Sequence, residues 1–133
     1  MRNDEQAIPD LIAPWLRTTA TGDLPKLLTL MAEDVIFLVP GQLPMRGRDA
    51  FAAGFQTALQ HFRIDASSEI QEIKIAGDWA YCWNHLSVTM TPLQSGSPKR
   101  RTGYILAILR KKPDRTWVVA RDANMLTEPT TPG

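Results

Sequence analysis

A histidine in line with three aromatic side chains is the strongest chemical signal in this sequence. From Gly77 to Thr91 the chain reads GDWAYCWNHLSVTMT, and at the two-residue period of a β-strand Trp79, Tyr81, Trp83 and His85 fall on one side with Ser87 and Thr89. Ala80, Cys82, Asn84, Leu86, Val88 and Met90 fall on the other. A strand of that length runs roughly 40 Å, and a sheet of such strands has to twist and curl, which gives it a hollow side. The aromatic row is expected to wall that hollow, because exposed rings gain nothing from water. His85 can then hold or move a proton; the alternative is a core histidine bonded to a neighbour.

The last apolar stretch, VVARDANML, contains a second candidate, since Asp122 is the only acid between Trp117 and Leu126. By strict alternation Asp122 shares a face with Asn124, and Arg121 shares one with Val119 and Ala123. Which set points inward is left open, because a one-residue change of register exchanges them. An exposed Asp122–Arg121 pair at a sheet rim is the plainer reading. Cys82 lies away from the aromatic row, without an assigned partner, and reads as buried and inert. His61 at a helix end is explained by the helix dipole. Two histidines and one cysteine, widely spaced, form no metal-ligand cluster, and there is no Gly-rich phosphate loop or dinucleotide fingerprint. No metal and no cofactor are expected.

Bulk properties narrow the partners. With 133 residues the chain makes one domain with one core. A net charge of +1 leaves no field to steer it onto nucleic acid or an acidic membrane, so a small-molecule ligand is the expected partner. The basic stretches Lys99–Arg101 and Arg110–Lys112 guard strand ends. The apolar runs are strand-sized, and the start MRNDEQ has no apolar core for secretion, so the expected location is the cytoplasm.

The elements that must position these residues follow in order. Ile8, Leu11, Ile12, Trp15 and Leu16 form a helical stripe ending at Gly22, with Pro14 predicting a bend. Asp23 caps a second helix, Leu24 to Met31. Val35 to Val39 is a short strand stopped by Pro40-Gly41. Asp49 starts a third helix whose Phe51, Phe55, Leu59 and Phe62 read as packing. Four antiparallel strands follow: Ile64–Ile75, with a bulge between Ile70 and Ile73, the aromatic strand, Arg101–Lys111, and Trp117–Leu126. Residues 1–126 are expected to form the domain and 127–133 a frayed tail. Helices first and a meander afterwards is the α+β pattern.

That order, with TGDLPKLLTLMAEDVIF, GRDAF and GDWAYCW, resembles the nuclear-transport-factor-two-like superfamily over about residues 4 to 126, most closely its SnoaL-like branch, with ketosteroid isomerase as a cousin. The resemblance implies a cone-shaped, cystatin-like roll in which three helices pack on the concave face of a curved, mostly antiparallel sheet around a deep pocket, often in a homodimer. The isomerase's catalytic set does not carry over. Its aspartate base, before a proline on the first strand, falls on Val39 ahead of Pro40. Its tyrosine donor falls on Trp15, and its second donor near Gly103 or Tyr104. Some cyclase and epoxide-hydrolase relatives carry a carboxylate on the last strand, which favours an inward Asp122 near His85.

The resulting expectation is a pocket for a small apolar ring-containing molecule, bound by Trp15, Tyr81, Trp83, Tyr104, Arg121 and Asn124, with His85 and Asp122 as acid–base groups for cofactor-free isomerase, cyclase, dehydratase or hydrolase chemistry. A non-catalytic binding or accessory module is the alternative. Ala80, Cys82, Leu86, Val88 and Met90, on the face away from the aromatic row, are expected to make the outer sheet face a homodimer interface.

Overall fold

The computed structural model describes residues 4–128. α1 (Asp4–Thr21) and α2 (Leu24–Thr29) form a helical hairpin, followed by β1 (Met31–Leu38), the two-residue β2 (Met45–Arg46) and α3 (Gly47–His61). The four long strands β3 (Phe62–Ala76), β4 (Trp79–Pro92), β5 (Lys99–Lys111) and β6 (Trp117–Asn124) then run as an antiparallel meander. One mixed sheet results, in the order β2-β1-β6-β5-β4-β3, because β1 pairs parallel to β6 while β2 folds back on β1.

The local chemistry explains most boundaries. Gly22 adopts φ +74, ending α1, and the Asp23 carboxylate caps α2 by accepting from the Lys26 N–H at 3.3 Å. α1 runs unbroken through Pro9 and Pro14, as its apolar side, with Ile8 and Leu11 buried, packs on the sheet. The Thr18 hydroxyl donates to the Pro14 carbonyl at 2.8 Å. α3 starts after Arg46, with Asp49 in its first turn, and the Arg48 guanidinium ties its start to the β1 carbonyl of Met31 at 2.7 Å. β1 is longer than the apolar run Val35–Val39 suggests, since it begins at Met31 through pairing with β6, and β2 carries no apolar run of its own.

Two bulges bend the antiparallel meander. The expected one lies in β3, where Ile70 pairs with Asn84 and Glu72 with Trp83, leaving Gln71 over. The other is in β6: Ile108 pairs with Arg121 and Leu109 with Val119, so Ala120 is the extra residue. The main core, with Ile8, Leu27, Met31, Val35, Cys82 and Leu109 fully buried, fills the space between the helices and the concave face. Of the expected frayed tail, Thr127 bridges Thr102 through a pair of 3.0 Å backbone hydrogen bonds, and residues 129–133 lie outside those described.

Candidate functional site

A cavity of about 340 Å³ opens between the helices and the concave side of the sheet. Its wall of rings comes from three elements. Trp15 of α1 lies 6.2 Å from Phe37 of β1 and 6.5 Å from Phe51 of α3; Phe51 stacks on Phe37 at 4.9 Å and on Phe55 at 5.5 Å. The opposite wall is the sheet, with Leu86, Val88, Ile105, Ala107 and Val119. Such a lining, mostly apolar with a few polar groups, is the usual composition of a small-molecule pocket.

Asp122 is the carboxylate in that lining, and the β6 bulge puts it there. Without an extra residue Val119 and Asp122, three apart, would face opposite sides; with Ala120 absorbed in the bulge, both face the cavity. The Arg121 guanidinium fastens the bulge on the outside, donating from Nη1 to the carbonyls of Ala120 at 2.7 Å and Asp34 at 2.9 Å. Burial alone pushes the Asp122 carboxyl up from 3.8 to about 7. Neither a donor nor a cation among the described residues reaches it. What accessible surface Asp122 keeps is turned to the cavity it lines.

Four more polar groups share the lining; one, the Thr19 hydroxyl, donates to the Trp15 carbonyl at 2.8 Å. Asn124, two residues on along the same face, accepts the Leu126 N–H on Oδ1 at 2.8 Å. That bond fixes the amide orientation and leaves the Nδ2 hydrogens for the cavity. Asn84, 8% exposed, donates from Nδ2 to the Ser68 hydroxyl at 2.5 Å, and its Oδ1 meets the Cys82 thiol only weakly, at 4.0 Å.

Of the expected site residues the structure brings Trp15, Asp122 and Asn124 together in the cavity lining. The other expectations are corrected. Tyr81, Trp83, His85 and Tyr104 lie on the outer face, and His85 cannot meet Asp122: Asp122 shares a row with Ala107 and Cys82, three residues from His85 and on the opposite side of β4. The rings pack among themselves there. Tyr104 lies edge-on to His85 at 5.2 Å and to Trp83 at 5.8 Å, while the Tyr81 hydroxyl and the Trp83 indole both donate to Glu72 Oε1 at 2.9 Å. Arg121 is exposed and occupied with its two carbonyls. Conversely Ala80, Cys82, Leu86, Val88 and Met90, expected on an outer interface, face the core and cavity. The physical reason is room: the concave side is covered by helices and suits small and aliphatic side chains, and the wide rings fit the open convex side.

Burial also pushes the Cys82 thiol up to about 11, so it stays protonated. The residues that sequence reasoning missed are Asn84, Ser68 and the phenylalanines of the ring wall, Phe37, Phe51 and Phe55. Asn84 was visible as the one amide in an otherwise apolar β4 face, and Phe51 and Phe55 as helical neighbours assigned to packing. Among the described residues no group of three or more His, Cys, Asp or Glu is placed to hold a metal ion, and no helix is long and apolar enough to cross a membrane.

Residues 12–120 match the family model of the SnoaL-like domain. A conserved protein from Planctomyces limnophilus superposes with a TM-score of 0.91 at 36% identity, over 95% of this chain and 98% of that one. An NTF2-like protein with a cystatin-like fold from Novosphingobium aromaticivorans gives 0.73 at 24%, over 96% and 84%. A ketosteroid isomerase-like protein from Erwinia carotovora atroseptica gives 0.82 at 22%, over 98% and 100%. No curated protein matches the chain.

Proposed function

Since this chain belongs to the SnoaL-like domain family, we propose that its conical cavity binds a small apolar ring-containing molecule and that Asp122 transfers a proton on it without a cofactor. One observation carries the reading: a lone carboxyl, raised to about 7 by burial, is delivered by a bulge into a ring-walled cavity. A group that titrates near neutral pH is present in both forms and suits general acid–base work. In the reaction this lining supports, the Asp122 carboxylate takes a proton from the carbon beside a ring carbonyl. The electron pair of that C–H bond moves onto the carbonyl oxygen, and the Asn124 Nδ2 donates to the oxygen as charge develops. Returning the proton to another carbon gives an isomerase; expelling a leaving group gives a dehydratase. Trp15 and Phe51 hold the ring. Cyclase and hydrolase chemistry use the same acid–base group.

A binding or accessory module is the second reading, favoured by the absence of a second titratable partner for Asp122 among the described residues. Exchange of the α-hydrogens of cyclic ketones such as β-tetralone in deuterated water separates the two. Catalysed exchange that falls about 10²–10⁴-fold in Asp122→Asn is the expected result. Binding without exchange across a panel of such ketones would leave the module.

Homodimerisation through the outer sheet face is part of the proposal. The support is Trp79 and Tyr104, each 48% exposed, with Leu106, on a face that no helix among the described residues covers. We place the protein in the cytoplasm, with neither nucleic acid nor membrane as a partner.

A further inference from the structure

The cavity has two polar ends rather than one. Ile105 pairs with Asn124 of β6 on one side and with Asn84 of β4 on the other, so the two amides lie in one row of the sheet, about 10 Å apart at the backbone for two strand spacings. Between them the lining is apolar: Ile105 and Ala107 of β5. At the first end stand Asp122 and the Nδ2 of Asn124.

At the second end Asn84 and Ser68 form a pair whose orientation follows from its own bond. The Ser68 oxygen accepts from Asn84 Nδ2, and no acceptor among the described residues takes the Ser68 proton. Asn84 Oδ1 has only the weak thiol contact at 4.0 Å. Besides the second Nδ2 hydrogen of Asn84, the pair therefore offers the Ser68 hydroxyl as a donor and the Asn84 carbonyl oxygen as an acceptor, side by side in the lining. A carbonyl oxygen would use only a donor. A hydroxyl uses both, since it donates and accepts.

We infer that the Asn84–Ser68 pair is a second binding subsite, recognising a ring hydroxyl at the end of the ligand remote from Asp122. The inference rests on the ring-binding reading above and narrows its substrate class to flat fused-ring ketones carrying a phenolic hydroxyl on the far ring. The separation of the two ends matches the long axis of two fused six-membered rings with an oxygen at each extremity, and the apolar strip between them matches the ring faces. A buried amide and hydroxyl in such a strip would lose affinity for a ligand that leaves them unpaired, because desolvating them is not repaid.

The test is titration calorimetry of the whole protein with β-tetralone and with its analogue hydroxylated at the far end of the second ring. The hydroxylated probe is expected to bind about tenfold more tightly, as one net hydrogen bond allows. Asn84→Leu is expected to shrink the ratio, and Asn84→Leu combined with Ser68→Ala, which removes every polar atom of the pair, to bring the two probes to parity. Because both probes meet the same variant cavity, a general loss of packing cancels in the ratio. Equal binding of the two probes by the wild type, or a preference that survives the double substitution, overturns the second subsite and leaves the ring-binding reading standing. Binding of neither probe overturns the ring-binding reading and this inference with it.

Discussion

Replacing Asp122 by Asn removes one titrating group from the cavity at nearly constant shape, and the consequence for stability has a definite sign. In the unfolded chain the carboxyl titrates near 3.8, and in the folded protein near 7, through burial. At low pH both states carry the neutral acid and no penalty. As pH rises from about 4 the unfolded state ionises first, so the fold loses stability until about pH 7, above which the full cost stands. At roughly 1.36 kcal/mol for each tenfold change in the equilibrium, a rise from 3.8 to about 7 corresponds to about 4 kcal/mol. Water admitted to the open cavity solvates the anion, so about 2–4 kcal/mol is the expected range. The assay is urea unfolding of the wild type and Asp122→Asn at intervals from about pH 4 to about pH 8. Titrations common to both proteins cancel in the difference. The variant should gain about 2–4 kcal/mol on the wild type across that window, and catalysed exchange by the wild type should rise with a midpoint near 7. A stability difference independent of pH would show an ordinary carboxyl and refute the reasoning.

Gly103 has φ +156, and a Cβ there would lie 2.7 Å from the Met125 carbonyl oxygen, so Gly103→Ala should cost at least about 1–3 kcal/mol in denaturant unfolding; an unchanged midpoint would contradict this close approach. The Cys82 thiol, fully buried and raised to about 11, should react with a thiol reagent only as fast as the protein unfolds, and rapid labelling of the native protein would contradict its placement. Leu106→Glu places a charge in the middle of the exposed outer face and is expected to convert a dimer to monomer in sedimentation experiments. A wild type that sediments as a monomer at high concentration removes that interface.

The sequence by itself determined the element types and most of the meander. Period-two patterning marked β3 to β6, the phase slip near Ile70 marked the first bulge, and Asp23 marked the start of α2, because each of these signals is local and repeats within a few residues. Alternation in β4 also divided its side chains correctly into two sets. What it lacks is the sign of the division. Both sets contain apolar residues, and nothing local says which one the helices cover. The tertiary structure decides this by space, giving the concave side to Ala80, Cys82 and Leu86 and the convex side to Trp79, Trp83 and His85. The site changes with that choice: an acid–base pair of His85 and Asp122 is separated by the thickness of the sheet, and Asn84 takes its place on the cavity side. The same holds for Asp122 itself. Strict alternation could not choose between Asp122 and Arg121, since the choice depends on Ala120 standing unpaired between β5 and β6, and pairing of strands is a property of two segments, never of one.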